Sequence, residues 1–287
     1  MATKKKRSNR PRRGSRRGGG NKLYLKIALT ALCMIVISGA GYGTYLNLGK
    51  VRPDEFGCLP DTDSHTVAWM DYTSAFHEGR HLAVKAIFER IYQALAPTEQ
   101  WTLITTEKEH YSSLGEERFT LCAPDHGSKN PAYVKRKIKE TYDDEVSPVI
   151  DEILGDSTTV KQIGNFEKVG IPIIENIQNI SLRPDFSPEL KRRRLVVISH
   201  MIQVSELAEF CFEQGHLPPY ERFKTLPKFE AVKPGSLEGV DVSIFMLILS
   251  NYGEGALRYC TEQELRDFWT AYFEDAGASS VQFHRIR

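Results

Sequence analysis

The sequence predicts a three-layer α/β domain, a largely parallel sheet with helices on both faces, preceded by one transmembrane helix. Two observations predict this fold class. Short apolar runs rich in β-branched and aromatic residues alternate with stretches of helical periodicity, the pattern typical of a parallel sheet. A charge-free stretch near the N-terminus is long enough to cross a bilayer. No internal repeat is visible in the 287 residues.

Charge divides the chain into parts with different surroundings. Residues 1–26 hold 11 of the 38 basic residues and no acidic one, so residues 27–287 carry 27 basic against 37 acidic residues, a net charge of about −10. We therefore predict four parts, which are a disordered basic cytoplasmic tail (1–26), a transmembrane helix (27–48), a linker (49–65) and the α/β domain (66–287).

The basic tail has no apolar cluster that could offset the entropy lost on ordering. A run of this kind fixes the orientation of a neighbouring membrane span. It also has the charge to bind anionic lipid or nucleic acid. The sequence leaves these roles open.

The predicted span, Ile27–Leu48, contains no charged residue and is flanked by Lys26 and Lys50. The excess of positive charge before it places the N-terminus in the cytoplasm, and the domain then lies in the periplasm of a bacterium, anchored in the inner membrane. A cleaved signal peptide is the alternative, because small residues at 38–40 follow the apolar run. The GxxxG pattern of Gly39–Gly43 would also let two spans pack as a homo-oligomer.

Four of the five cysteines fall in the exported part. In an oxidising compartment, four thiols predict two disulfides with three possible connectivities, and buried free cysteines are the alternative. No CxxC pair occurs, which argues against a zinc ribbon or a thioredoxin-like site. The four are Cys58, Cys122, Cys211 and Cys260, whereas Cys33 lies in the predicted span.

The first half of the domain contains three predicted strands and a helix. Thr66–Met70 is a buried strand because its run of apolar and β-branched residues ends at an aspartate. His77–Leu95 has apolar residues at helical spacing and stops before a proline, so we predict a helix. Trp101–Thr106 and Phe119–Ala123 are two further strands joined by a polar connection, and Tyr133–Leu154 is mostly helix, interrupted before its proline.

The second half repeats the alternation. After a short amphipathic helix, Ile171–Ile180, comes Leu195–Ser199, the clearest buried strand in the chain. The basic run Lys191–Arg194 before it is typical of a solvated strand entry. Val240–Leu249 is another apolar strand. A helix with a one-sided aromatic face and a short final strand follow, at Glu262–Ala276 and Val281–His284.

An apolar strand that ends in Asp71–Ala75 (DYTSA), together with the later strand Leu195–Ser199, resembles the von Willebrand factor A-like (vWA-like) domain, a Rossmann-like fold. The resemblance implies a cation site built from a D-x-S-x-S loop, a threonine of a second loop and a late aspartate. Asp71 and Thr73 match this pattern, whereas Ala75, Ile171 and His200 stand where ligand oxygens are required.

Two ligands are too few for a hard cation such as magnesium, which takes about six oxygens. The resemblance therefore implies a degenerate site, no metal cofactor, and a surface that binds a protein partner through Asp71, Thr73, Ser74 and His200. It also implies an antiparallel edge strand that brings Cys122 to the end of the sheet where Cys58 enters, and so a Cys58–Cys122 disulfide.

A rival signal is the H-E-x-x-H pattern of residues 77–81. Its two histidines, one helical turn apart, would bind zinc, and Glu78 would activate the bound water. Three features argue against this site: Arg80 is charged, Gly79 weakens the helix, and no third ligand is evident. We favour the interpretation that His77 and His81 belong to an ordinary helix start.

Two functions remain from the sequence. The first is a membrane-anchored, non-catalytic interaction module outside the cytoplasm, for which a component of an envelope or defence complex is one hypothesis. The second is a membrane-tethered zinc-dependent hydrolase that uses residues 77–81.

Overall fold

The computed structural model describes residue 24 and residues 26–38, 54–71, 78–106, 115–124, 131–160, 172–211, 217–231, 233–247 and 260–286. The chain divides into two units, Met1–Arg52 and Pro53–Arg287.

In the first unit, residues 26–38 form a helix. Its large apolar side chains are all more than half exposed, and the Thr30 hydroxyl donates to the carbonyl of Lys26 at 2.8 Å. Within the part of the chain that the structure describes, no helix has both the length and the apolar character needed to cross a bilayer. Residues 39–48 of the predicted span lie outside the described residues.

In the second unit, the described strands form one six-stranded sheet in the order β3-β2-β1-β4-β5-β6. β3 runs antiparallel to β2 at one edge, and the other neighbours are parallel. In the centre, Val67 of β1 lies opposite Thr102 of β2 and Leu195 of β4. The strands are β1 Ser64–Met70, β2 Gln100–Thr105, β3 Glu116–Cys122, β4 Arg192–Ser199, β5 Val240–Leu247 and β6 Ser280–Ile286. The mixed, mainly parallel α/β sheet is confirmed, and so is the antiparallel edge strand.

Helices cover both faces of this sheet, as predicted. One face, with Trp69, packs against α4 and α6, and the other, with Met70, packs against α1 and α3. Since successive strand residues point to opposite faces, β1 contributes to both cores and is buried along its whole length. The helices are α1 Glu78–Gln93, α2 Pro131–Thr141, α3 Ser147–Val160, α4 Ile173–Ser181, α5 Tyr220–Phe223 and α6 Glu262–Asp275, with short 3₁₀ helices at Pro184–Phe186 and Phe229–Ala231.

The predicted interruption before Pro148 is a π-helical segment, Tyr142–Val146, that joins α2 to α3. Proline lacks a backbone N–H donor and its ring disturbs a regular α-helical turn, and the widened turn, in which the Ser147 N–H donates to the carbonyl of Tyr142, lies directly before Pro148. The wider π turn keeps Tyr142 and Val146 buried. The chain therefore continues as a helix through the position at which a break was expected.

The interpretation of Lys191–Arg194 as a solvated strand entry is wrong for two of its residues. Arg193 is buried, and its guanidinium donates to the carbonyls of Phe186, at 3.2 Å, and of Glu238. Arg194 forms an ion pair of 2.8 Å with the fully buried carboxylate of Glu99. At the N-terminal end of β4, buried carbonyl and carboxylate oxygens need hydrogen-bond donors. The two arginines provide these donors, whereas apolar side chains would leave the oxygens unpaired.

Both disulfides form, and the connectivity is the one that the resemblance implied. Cys58 pairs with Cys122 and Cys211 with Cys260, with Cα–Cα distances of 5.0 and 5.2 Å. The segment before β1 also pairs with the edge strand, because the Cys122 N–H donates to the carbonyl of Phe56 at 2.9 Å. Cys33 is a free, exposed thiol.

Candidate functional site

The candidate site lies where β1 and β4 end side by side. The backbone N–H of Asp71 donates to the carbonyl of Ile198 at 2.9 Å, which carries the strand pairing one residue beyond β1. This pairing brings the Asp71 carboxylate to Ser199, the last residue of β4, and to His200, which follows it. The Ser199 hydroxyl donates to Asp71 Oδ2 at 3.1 Å, and His200 Nε2 lies 3.3 Å from the same oxygen. We call Asp71, Ser199 and His200 the Asp71 cluster.

Both ring nitrogens of His200 are engaged by the protein itself. Nδ1 accepts a hydrogen bond from the Ile202 N–H at 3.0 Å. A neutral ring that accepts at Nδ1 carries its hydrogen on Nε2, which then donates to Asp71. Burial lowers the pKa of His200 from its usual 6.5, although the charge of Asp71 opposes that shift. His200 is therefore a neutral structural donor, with no lone pair left to bind a metal or to take up a proton.

The loop after β4 holds this cluster in place. Met201 adopts a left-handed backbone conformation, with φ of 64°, which is uncommon for a residue with a side chain. Its N–H donates to Ser199 Oγ at 3.0 Å, and its carbonyl accepts from the indole N–H of Trp269 at 2.8 Å. Because Trp269 is fully buried on α6, the turn is fixed from the core.

Gln203 extends this support to α4. Its side-chain carbonyl accepts from the N–H of Ile174 at 2.9 Å, in the first turn of α4, so a distant loop residue satisfies a free donor of the helix start. The Gln203 amide also donates to Glu175 Oε2 and to Ser205 Oγ, both at 2.8 Å. These hydrogen bonds join the loop after β4 to the first turn of α4.

The structure brings Asp71 and His200 together but leaves them almost without exposed surface, at 0% and 5%. The other predicted partner-binding residues, Thr73 and Ser74, lie outside the described residues. Sequence reasoning missed Ser199 and Gln203. A hydroxyl at the last position of an apolar strand was a signal for Ser199, whereas nothing local marks Gln203.

Only part of the predicted zinc site lies within the described residues. His77 lies outside the described residues, as does the side chain of Glu78, with which α1 begins. His81 is half-buried on α1. Among the side chains that are described, no group of three or more His, Cys, Asp and Glu could hold a metal ion. The zinc site therefore stays a prediction.

We expect acid to destabilise the domain through its buried histidines. Burial lowers the pKa of both His65 and His200 below 6.5, so between pH 7 and 5 the unfolded chain takes up protons that the folded chain refuses. Each histidine then lowers the free energy of unfolding by up to about 1.4 kcal/mol per pH unit below 6.5. Urea unfolding at a series of pH values measures this slope. His200→Gln should flatten it, and equal slopes for the two proteins would contradict the proposed burial effect.

Comparison with known proteins yields likenesses in structure alone. No family model matches the chain, and no curated protein does. The chain is similar to the VWA domain of SpRpn10, at 11% identity and a TM-score of 0.36, covering 78% of this chain and 89% of that one. It is also similar to a von Willebrand factor type A protein from Catenulispora acidiphila, at 10% identity and a TM-score of 0.37, covering 79% of this chain and 39% of that one. A third likeness is to an aerotolerance-related membrane protein from Bacteroides fragilis, at 10% identity and a TM-score of 0.32, covering 78% of this chain and 92% of that one.

Proposed function

We propose that this chain is a single-pass membrane protein whose vWA-like domain lies outside the cytoplasm and binds a protein partner at the carboxyl edge of its parallel strands. The Asp71 cluster is the observation that carries the proposal. Its carboxylate, hydroxyl and imidazole are buried and hydrogen-bonded to one another and to the backbone. Such an arrangement supplies a rigid platform and no free base, which favours binding over catalysis.

The proposed anchor is supported by the helix of residues 26–38. A helix that exposes apolar side chains on all sides is suited to lipid. The Thr30 hydroxyl is satisfied by a carbonyl of its own helix, as a hydroxyl in hydrocarbon must be. The basic tail then sets the N-terminus in the cytoplasm. The two disulfides agree with a domain in an oxidising compartment.

The proposed binding surface follows from the same geometry. In α/β sheets, binding sites gather outside the carboxyl ends of the strands. Asp71 and His200 are buried and so act by positioning, while Thr73 and Ser74, which follow Asp71 in the chain, are the residues proposed to contact the partner. In this proposal, buried residues hold the carboxyl edge of the sheet in place, and the residues of the following loop contact the partner.

Site-specific photo-crosslinking in the native membrane tests this surface. A photoreactive residue at Glu206, exposed in the loop after β4, should give a discrete crosslinked partner. The matched control is Glu189, an equally charged, exposed residue just before the start of β4 at the opposite edge, which should give none. Crosslinks of the same partner from both positions, or from neither, would contradict the proposed edge.

The zinc-dependent hydrolase is the alternative, supported by the H-E-x-x-H pattern alone. Elemental analysis of the purified chain separates the two functions. Zinc bound in a one-to-one ratio and lost in His81→Ala would overturn the non-catalytic proposal. Zinc that is absent, or that survives the substitution, would instead remove the hydrolase.

A further inference from the structure

The helix α2, Pro131–Thr141, is basic in a domain that is otherwise acidic. Four of its eleven residues are lysine or arginine and one is acidic. None of its residues is buried. The four basic residues are Lys135, Arg136, Lys137 and Lys139.

The periodicity of α2 separates an inner stripe from an outer basic face. Val134 and Ile138, four residues apart, are half-buried, and Ile138 packs against the core beneath α1 and α3. At 100° per residue, the basic side chains then occupy the rest of the helix surface. Tyr133 joins them there, 46% exposed, with the Arg136 guanidinium 5.5 Å from its ring centre. The outer face thus combines cations with an amphipathic aromatic ring.

Part of this positive charge is not neutralised by the domain. Arg136 pairs with Glu140 at 3.5 Å and Lys139 with Asp143, and both pairs are more than half exposed. Exposed pairs of this kind are weak, at about 0–1 kcal/mol. Within the described residues, Lys135 and Lys137 form no ion pair. The outer face is therefore free to attract an anionic surface.

We propose that the outer face of α2 binds the anionic headgroups of a phospholipid bilayer and so holds the domain against the membrane. The inference rests on the proposed function for the presence of that membrane. Lysine and arginine near an anionic bilayer contribute about 1 kcal/mol each, and tyrosine is favoured at the interface. A phosphate-rich surface fits this helix better than a peptide, because the basic face lacks the apolar centre typical of a protein interface.

Limited proteolysis of the full chain in lipid nanodiscs tests the proposal. The nanodiscs contain phosphatidylcholine alone or phosphatidylcholine with phosphatidylglycerol, and mass spectrometry follows tryptic cleavage after Arg136 and Lys139. Anionic lipid should slow both cleavages at least about fivefold, which corresponds to one basic contact. High salt should remove the protection, because salt screens exposed charges. Equal cleavage in the two lipids would overturn the proposal.

Charge-reversed variants make the test specific. Lys135→Glu with Lys137→Glu should lose the difference between the two lipids, whereas Lys228→Glu with Lys233→Glu, the same charge change on exposed residues elsewhere, should keep it. Each variant is compared with itself in two lipids, so a change in folding or in intrinsic cleavage cancels. Protection that persists in the α2 variant, or that an oligonucleotide provides equally well, would also overturn the proposal.

The anchor is tested separately by extraction of native membranes with alkaline carbonate. A chain that resists extraction but shows no lipid-dependent protection keeps the proposed function and loses the role of α2. A chain that is extracted loses the proposed anchor. In that case the same proteolysis experiment, with added vesicles in place of nanodiscs, still tests the role of α2. Protection by anionic vesicles, and not by neutral ones, is the supporting result.

Discussion

Replacing Glu99 by alanine is expected to lower the free energy of unfolding by about 3–5 kcal/mol, the cost of leaving a buried charge without its partner. The Glu99 carboxylate has no exposed surface. It accepts hydrogen bonds from the Thr66 hydroxyl at 2.6 Å, the Ala96 N–H at 2.7 Å and the Arg194 guanidinium at 2.8 Å. Its removal leaves Arg194, whose side chain is only 17% exposed, facing an empty space. Urea denaturation of the two proteins measures the difference.

Lys191→Ala is the matched control, because it breaks an ion pair of the same basic run at the surface. Lys191 pairs with Asp63 at 2.6 Å, with side chains 81% and 49% exposed. We expect this change to cost less than about 1 kcal/mol. If Glu99→Ala cost no more than Lys191→Ala, the buried pair would not have the importance assigned to it. The double variant Glu99→Ala with Arg194→Met should recover part of the loss, since it removes both charges.

This ion pair also marks the limit of what the sequence predicts about the fold. The apolar run Leu195–Ser199 identifies the core of β4, because β-branched residues buried on both faces leave a continuous hydrophobic pattern. The strand begins earlier, at Arg192, and no such pattern covers its first three residues. Whether an arginine there is solvated or buried depends on a carboxylate that lies 95 residues away in the chain. Local periodicity contains no information about such a partner.

The candidate site, like the fold, could be predicted only in part from the sequence. Because β1 and β4 are parallel neighbours, the residues that follow them, Asp71 and His200, meet at one edge, as a parallel sheet requires. The neutral state of His200 was not predictable, since it depends on a backbone donor of the following turn. Gln203 was equally hidden, because its role is to cap a helix that begins 30 residues earlier in the chain. Sequence patterns locate the edge, and tertiary hydrogen bonds decide its chemistry.

Removing the Cys58–Cys122 disulfide is expected to lower the free energy of unfolding by about 2–4 kcal/mol. The main reason is that the unfolded chain, no longer closed across a separation of 64 residues, gains conformational entropy. The pair Cys58→Ala with Cys122→Ala should therefore shift the urea midpoint downward. Loss of Cys211–Cys260, with a separation of 49 residues, should cost nearly as much, because the entropy of loop closure changes slowly with loop length. Cys33→Ala is the control and should leave the midpoint unchanged, since this thiol is free and exposed.

The same bonds test the proposed location of the domain. A cell that exports the domain to an oxidising compartment forms both disulfides, whereas thiols kept in a reducing cytosol stay free. We therefore expect that alkylation of the chain in intact cells, followed by non-reducing mass spectrometry, finds Cys58 paired with Cys122 and Cys211 paired with Cys260, with none of the four alkylated. Alkylated Cys58 or Cys122 in the native, folded chain would contradict an exported domain. Because the folded domain has both cysteines within bonding distance, with Cα atoms 5.0 Å apart, free thiols there would reflect the compartment and not the fold.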